Sequence, residues 1–191
     1  MVFEQGEDHV VVVADGAGGI RGGGDASDAF IAAVTSALTS GGFDITDPTI
    51  WNKLLTDVDH ELAKTMAGKT TAVIAVVGSG GIVGVSAGDS QAWLVGETGA
   101  DEFTADQTKK RLGSGRASPV SFFRPGLQGT LIVATDGLFK YATTGKIAET
   151  VRGREPGEAA EALRGLVALP SGKYQDDVGI VVLAGRKRFR E

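Results

Sequence analysis

The stretch that decides the fold runs from Val10 to Gly16 and reads Val-Val-Val-Val-Ala-Asp-Gly. A continuous valine run is typical of a strand that is buried on both faces, and Asp-Gly is a dipeptide at which strands end in turns. The same layout returns from Leu131 to Gly137, as Leu-Ile-Val-Ala-Thr-Asp-Gly. The two stretches predict two buried strands, each of which carries an aspartate at its carboxyl end.

The rest of the chain predicts helices and strands in an order that does not follow strict βαβ alternation. The spacing of apolar residues predicts four helices: one capped by Asp25 or Ser27, one that Pro48 begins and Gly68 ends, and two over residues 138–152 and 156–169. The predicted strands are a hairpin over 70–87, strands at 91–95 and 178–183, and a short strand at 120–123 within an irregular segment, 97–130. Because hairpins dominate, we expect an α+β fold with mainly antiparallel sheets and helices outside, in one domain over residues 1–191.

The composition argues against several classes of function. The 191 residues include no cysteine, which excludes thiolate nucleophiles, disulfides and sulfur-ligated zinc. The net charge of −5 argues against a nucleic-acid partner, because a phosphate backbone needs a basic face. We interpret the basic residues from Arg186 to Arg190 as a solvated tail. No apolar run has the length of a membrane span and no signal peptide is evident, so we expect a cytoplasmic protein with no membrane partner.

Three carboxylates lie at the ends of predicted strands: Asp15 and Asp136 after theirs, and Asp176 just before the last one. Strand ends are rigid on one side and open to solvent on the other, which suits a preorganised set of ligands. Mg²⁺ and Mn²⁺ prefer oxygen ligands, and the Gly16 carbonyl is a further candidate because no Cβ crowds it. A single Asp-Gly is most often only a turn, but three aspartates in this layout favour a metal site.

These motifs, taken in order, resemble those of the metal-dependent type 2C (PPM) protein serine/threonine phosphatases in their short bacterial form. The matching stretches are 12–19, Gly24 to Ser27, Thr70 to Val73, Gly88 to Leu94, Leu131 to Leu138 and Gln175 to Asp177. The resemblance implies a four-layer αββα sandwich, in which two β-sheets pack face to face between helices, with a two-metal centre at one edge.

The resemblance also implies a role for each matching residue. Asp15 corresponds to the carboxylate that bridges two Mn²⁺ or Mg²⁺ ions, the Gly16 carbonyl to a ligand of one ion, and Asp136 and Asp176 to the ligands that complete the pair. Asp15 and Asp136 are thereby the predicted catalytic carboxylates. Asp177 stands where the family usually has asparagine. The implied reaction is attack of metal-activated water on phosphoserine or phosphothreonine of a protein, and the implied setting is a monomer that opposes a cognate kinase.

The departures from the family pattern carry predictions of their own. Asp89 corresponds to a ligand of an additional, weaker metal, but Lys140 stands where a second aspartate of that site is expected, so we predict that the third site is lost or weakened. The short segment between Trp93 and Leu131 predicts an open site that accepts a broad range of substrates. At the amino terminus we expect the end of a strand at Val2 to Glu4 and a turn over residues 5–8. The family's phosphate-binding arginine strand is then missing.

Several alternatives stay open at this point. Arg21 is one candidate replacement for the missing arginine. Ala17 stands where some relatives have a histidine acid, so that water or another side chain would protonate the leaving group. The chain is alternatively a catalytically weak relative that serves as a regulatory or binding domain, or a hydrolase of small phosphate esters. We discount a nucleotide-phosphate loop at Gly18 to Gly24, because it lacks Gly-Lys-Ser/Thr.

Overall fold

Alternate residues of the valine run face opposite layers of the protein. Val10 and Val12 pack with helical residues such as Phe30, whereas Val11 and Val13 pack with residues of a second sheet. This two-sided burial explains why the stretch contains no polar position. The structure is a computed structural model that describes residues 1–17, 22–65 and 68–185.

Nine strands form two antiparallel sheets within the described residues. The strands are β1 (Val2–Gln5), β2 (Asp8–Val13), β3 (Ala72–Gly78), β4 (Gly81–Ala87), β5 (Gln91–Val95), β6 (Ala100–Glu102), β7 (Val120–Pro125), β8 (Thr130–Ala134) and β9 (Ile180–Ala184). The first sheet has the order β1-β2-β3-β4-β7 and the second the order β6-β5-β8-β9. Valine and leucine side chains of β2 and β8 meet between the sheets, so that the strands before Asp15 and before Asp136 both lie in the middle of the protein.

Helices cover the outer face of each sheet. They are α1 (Gly23–Ser40), α2 (Pro48–Thr65), α3 (Asp136–Phe139), α4 (Thr144–Val151) and α5 (Pro156–Leu166). Buried residues of α1 and α2 share a core with the first sheet, and those of α3, α4 and α5 share a core with the second. The predicted α+β fold with a four-layer αββα sandwich is therefore confirmed.

Most predicted elements are confirmed, with four differences at helices and strands. The first helix begins at Gly23, ahead of both predicted caps, and the Ser27 hydroxyl donates to the Gly24 carbonyl instead of capping the helix. The helix predicted over 138–152 is two helices, because Thr143 accepts a hydrogen bond from the Lys146 amide and starts α4 anew. The segment 97–130 contains β6, whose short polar sequence gave no strand pattern, and β7 is longer than the predicted 120–123.

The amino terminus forms the predicted hairpin, but its turn is shorter than the predicted 5–8, because Gln5 and Asp8 are strand residues that pair with each other. β1 pairs antiparallel with β2, with Val2 opposite Val11 and Gln5 opposite Asp8. β1 has the sequence Val-Phe-Glu-Gln and so contains no arginine. Among the described residues, no helix is long and apolar enough to cross a membrane.

Candidate active site

Backbone hydrogen bonds hold Asp15 at the end of β2. The Thr71 amide donates to the Asp15 carbonyl at 2.9 Å, and the Ala17 amide donates to the Lys69 carbonyl at 2.8 Å. The chain therefore stays beside the neighbouring segment for several residues beyond the strand. As a result the Asp15 side chain, which is half-buried, is presented from a fixed backbone.

A threonine holds the two other predicted aspartates together. The Thr135 hydroxyl donates to the Asp177 carbonyl at 2.9 Å and accepts from the Gly179 amide at 3.0 Å. These bonds attach the segment that precedes β9 to the residue that precedes Asp136. Asp176 and Asp136 are therefore neighbours although they lie forty positions apart in the sequence.

Close backbone contacts explain the glycines around Asp15. A Cβ on Gly16 would lie 2.2 Å from the Gly23 carbonyl oxygen, and a Cβ on Gly113 would lie 2.2 Å from the Gly68 carbonyl oxygen. Heavy atoms cannot approach so closely, so only glycine fits at these positions. The backbone thus packs tightly against itself next to Asp15.

Lys140 lies between Asp136 and Asp176. Its Nζ is 2.9 Å from Asp136 Oδ2 and 3.0 Å from Asp176 Oδ2. The two hydrogen bonds raise the pKa of the Lys140 ammonium above its ordinary value, and the bond from Lys140 lowers the pKa of Asp176. The ammonium is therefore the shared counterion of two predicted metal ligands.

Among the described residues, no Lys or Arg forms a comparable ion pair with Asp15. Burial, followed by the negative charge of Asp136, raises the pKa of Asp15 to about 6, and the Asp176 and Asp177 carboxylates act in the same direction. Arg111 opposes the shift. The folded protein therefore favours the protonated form of Asp15. The stability that this protonated carboxyl contributes is lost as the pH rises from about 4 through about 6. The acidic edge therefore favours a further positive charge near Asp15.

Arg111 brings a second protein cation to the same edge. Its guanidinium binds Asp89 as a fork, with Nη2 at 3.1 Å from Oδ1 and 3.0 Å from Oδ2. The neighbouring residue, Leu112, forms a bridge with Thr70, which in turn bridges to Gly16. These bridges explain why Arg111, from a segment with no periodic pattern, acts on the Asp15 carboxylate.

A buried carboxylate on α2 fixes the loop that carries Arg111. Asp59 is 1% exposed, and its side-chain oxygens accept hydrogen bonds from the amides of Gly113, Gly115 and Ala117 at 2.8, 3.0 and 3.0 Å. A buried carboxylate needs such donors, and here the backbone supplies them. Asp59 thereby determines the path of residues 113–117.

The donor set suits a hard divalent cation in chemistry but not fully in arrangement. Carboxylate and carbonyl oxygens are the ligands that Mg²⁺ and Mn²⁺ prefer. Within residues 1–17, 22–65 and 68–185, however, no three His, Cys, Asp or Glu side chains are close enough to hold one ion together. Lys140 occupies the space between Asp136 and Asp176. The oxygen donors therefore fit a divalent ion in their chemistry, but Asp136 and Asp176 could hold an ion between them only if Lys140 moves.

Solved structures share this architecture over nearly the whole chain. A crystal structure of a bacterial serine phosphatase superposes with a TM-score of 0.82 at 20% identity, covering 95% of this chain and 88% of that one. Serine/threonine phosphatase Stp1 from Staphylococcus aureus gives 0.81 at 19% identity, covering 96% and 87%. The catalytic domain of the serine/threonine protein phosphatase PstP, in complex with two manganese ions, gives 0.72 at 18% identity, covering 95% and 89%.

The chain has the fold of bacterial serine/threonine phosphatases. The fold that the motif resemblance implies is thus confirmed by structures at low sequence identity. No protein-family model matches the sequence, and no curated protein sequence matches it.

Within this phosphatase fold, the structure places all the predicted site residues that it describes at the same edge. Asp15, Gly16, Asp136 and Asp176 lie at one edge of the sandwich, and their roles as metal ligands stay predictions. Asp89 also lies there, but its carboxylate binds Arg111. Arg21 and the basic tail, Arg186 to Arg190, lie outside the described residues.

Two residues that shape the acidic edge, Asp59 and Arg111, were not predicted from the sequence. Asp59 had a signal, because it continues the buried stripe of Trp51, Leu55 and Leu62 on α2, where a carboxylate is unexpected. No sequence pattern marks Arg111, because its position depends on the β-bridges that join the neighbouring Leu112 to Thr70 and Thr70 to Gly16.

Proposed function

We propose that the protein is a metal-dependent phosphatase that hydrolyses phosphoserine and phosphothreonine in proteins. The observation that carries the proposal is the set of aspartates Asp15, Asp136 and Asp176 at one edge of a phosphatase fold. The raised pKa of Asp15 supports it, because carboxylates crowded together without enough counter-charge favour a bound cation. The acidic edge would otherwise destabilise the fold near neutral pH.

In this proposal Asp15, the Gly16 carbonyl, Asp136 and Asp176 hold Mn²⁺ or Mg²⁺, with two ions as in the PstP structure. A divalent ion bound there lowers the pKa of water and polarises the phosphoryl oxygens. The protein's own part is to fix the ligands: the Asp15 backbone is bonded to Thr71, and Thr135 holds the Asp176 segment against Asp136. Ala17 offers no acid, so water is the proposed proton donor to the leaving group.

Arg111 is the proposed contact for the substrate phosphate. The fork to Asp89 uses Nε and Nη2, which leaves the other guanidinium nitrogen for a further acceptor. Its side chain is 30% exposed, so substrate can reach it. The two N–H groups of this nitrogen can each donate to a phosphate oxygen, and Arg111 would thereby replace the arginine that β1 lacks.

Arg111→Ala is expected to raise KM for a phosphothreonine peptide about tenfold while changing kcat less, because it removes a phosphate contact and not a metal ligand. Steady-state phosphate release at fixed Mn²⁺ measures both constants. The matched control is Arg116→Ala, an exposed arginine of the same loop, which should leave KM within about twofold. An unchanged KM in Arg111→Ala would refute the assignment.

The surroundings of the site favour a chain-like substrate. An open depression of about 550 Å³ is lined by residues 173–178, which include Asp176 and Tyr174; Tyr174 is 39% exposed. The short segment between Trp93 and Leu131 is the basis for the prediction that the site is open. We infer that an extended phosphopeptide fits here better than an enclosed small molecule would.

A comparison of substrates tests the proposed class directly. With Mn²⁺ present, kcat/KM for a phosphothreonine peptide is expected to exceed that for each member of a panel of small phosphate esters by about tenfold, because the peptide gains contacts with the surface around Asp176. Free phosphate is measured for both. A small ester that is hydrolysed better than the peptide would make this chain a metabolite phosphatase instead.

A second candidate function is a regulatory or binding domain with little catalysis. The specific observation in its favour is Lys140, whose ammonium binds two of the three aspartates predicted to hold the metal pair. Retained binding of a phosphopeptide without phosphate release, at millimolar Mn²⁺, would favour this candidate. Partnership with a serine/threonine kinase and action as a monomer are further parts of the proposal for either function.

A further inference from the structure

Lys140 affects more than the additional, third metal site. Its Nζ contacts the Oδ2 atoms of both Asp136 and Asp176, the residues proposed to complete the main metal pair. We propose that Lys140 is a built-in competitor for one ion of that pair, so that the protein holds a first divalent ion tightly and a second one weakly. This inference rests on the proposed metal site at the acidic edge.

The backbone holds Lys140 within reach of both carboxylates. The Lys140 amide donates to the Asp136 carbonyl at 2.9 Å, which completes the single turn of α3 and places the two side chains one turn apart. Thr135 and Gly137 bring the other partner close: a Cβ on Gly137 would lie 2.4 Å from the Asp177 carbonyl oxygen. The contact is therefore a result of fixed backbone packing at three points.

The Oδ2 atoms of Asp136 and Asp176 cannot bind the Lys140 ammonium and a divalent ion in the same place at once. A divalent ion binds carboxylate oxygens at about 2.1 Å, whereas the ammonium now lies about 3 Å from the same two atoms. An ion placed between the carboxylates would be in contact with the ammonium, and the two positive charges would repel each other. Binding of that ion requires Lys140 to leave.

We expect Lys140 to weaken binding of the second ion without abolishing it. The Lys140 side chain is 53% exposed, and exposed ion pairs contribute little, so the ammonium can rotate into solvent when the metal concentration is high. Asp15 makes no ion pair with Lys140 in the described part of the chain, so an ion held by Asp15 and the Gly16 carbonyl is less affected. The two ions should therefore differ in affinity.

Counting bound Mn²⁺ tests the inference without any assay of activity. Metal-stripped protein is titrated with Mn²⁺, and the free ion is followed by its electron paramagnetic resonance signal. The wild type should bind one ion with a second at least tenfold weaker, and Lys140→Met should strengthen the second ion about tenfold. Lys140→Gln should do the same, which guards against an effect of one particular side chain. Lys146→Met, on the exposed face of α4, is the matched control and should behave as the wild type.

Two results would overturn the inference: a wild type that binds two ions with equal affinity, or variants of Lys140 whose second ion is no tighter. Circular dichroism of each variant identifies a loss of fold. Phosphate release, measured on the same samples, is a separate readout. If the variants gain the second ion but no sample releases phosphate, the competition stands and the proposed function fails.

Discussion

Asp136→Asn is expected to lower kcat on a phosphothreonine peptide by about 100-fold or more, at saturating Mn²⁺. Asp136 is 8% exposed and lies at the first turn of α3, where it is fixed directly after β8. Asparagine has the same shape but no charge, so it is a poor ligand for a hard divalent ion. Steady-state phosphate release measures the loss.

The loss in Asp136→Asn should occur without loss of fold, because the amide still accepts a hydrogen bond from Lys140. Thermal unfolding of the metal-free variant should therefore resemble that of the wild type. Asp106→Asn, an exposed aspartate outside the acidic edge, should keep full activity. Activity of Asp136→Asn within tenfold of the wild type would contradict a role for Asp136 in holding the metal.

The second large effect concerns stability. Asp59→Ala is expected to lower the free energy of unfolding by about 2–4 kcal/mol, because it leaves three backbone amides of the 113–117 loop without their buried acceptor. The loop that carries Arg111 should loosen at the same time. Urea denaturation measures the free energy, and KM for the peptide should rise as it does in Arg111→Ala.

The matched control for Asp59 lies on the same helix. Asp57 pairs with Lys53 at the surface and its side chain is 59% exposed. Asp57→Ala should therefore cost less than about 0.5 kcal/mol. Equal losses of unfolding free energy in the two variants would mean that the effect comes from the helix itself. The hydrogen bonds from the 113–117 loop to Asp59 would then not be its cause.

The fold was predictable because its signals are local. The valine run before Asp15 and the similar apolar run before Asp136 predict strands that are buried on both sides. The hairpin pattern at 70–87 predicts antiparallel pairing. The break between α3 and α4 was missed because both segments are apolar at helical spacing. What divides them is a single capping interaction at Thr143.

The candidate site was predictable only in part, since its geometry depends on contacts between distant segments. Asp15, Asp136 and Asp176 could be named from their places at strand ends. The position of Arg111 could not, because it follows from the bridges from Gly16 through Thr70 to Leu112 and from the hydrogen bonds of the 113–117 loop to Asp59. The sequence likewise marked Lys140 as unusual, but its contact with Asp176 depends on the bond from Thr135 to the Asp177 carbonyl.

The measurement that tests the central claim most directly is phosphate release from a phosphothreonine peptide by metal-stripped protein, before and after addition of Mn²⁺. The proposal of a metal-dependent phosphatase predicts no release in EDTA, release after Mn²⁺ is added, and loss of release again when the ion is chelated. Release that continues unchanged in EDTA, or none at any Mn²⁺ concentration from protein that is shown to be folded, would contradict it.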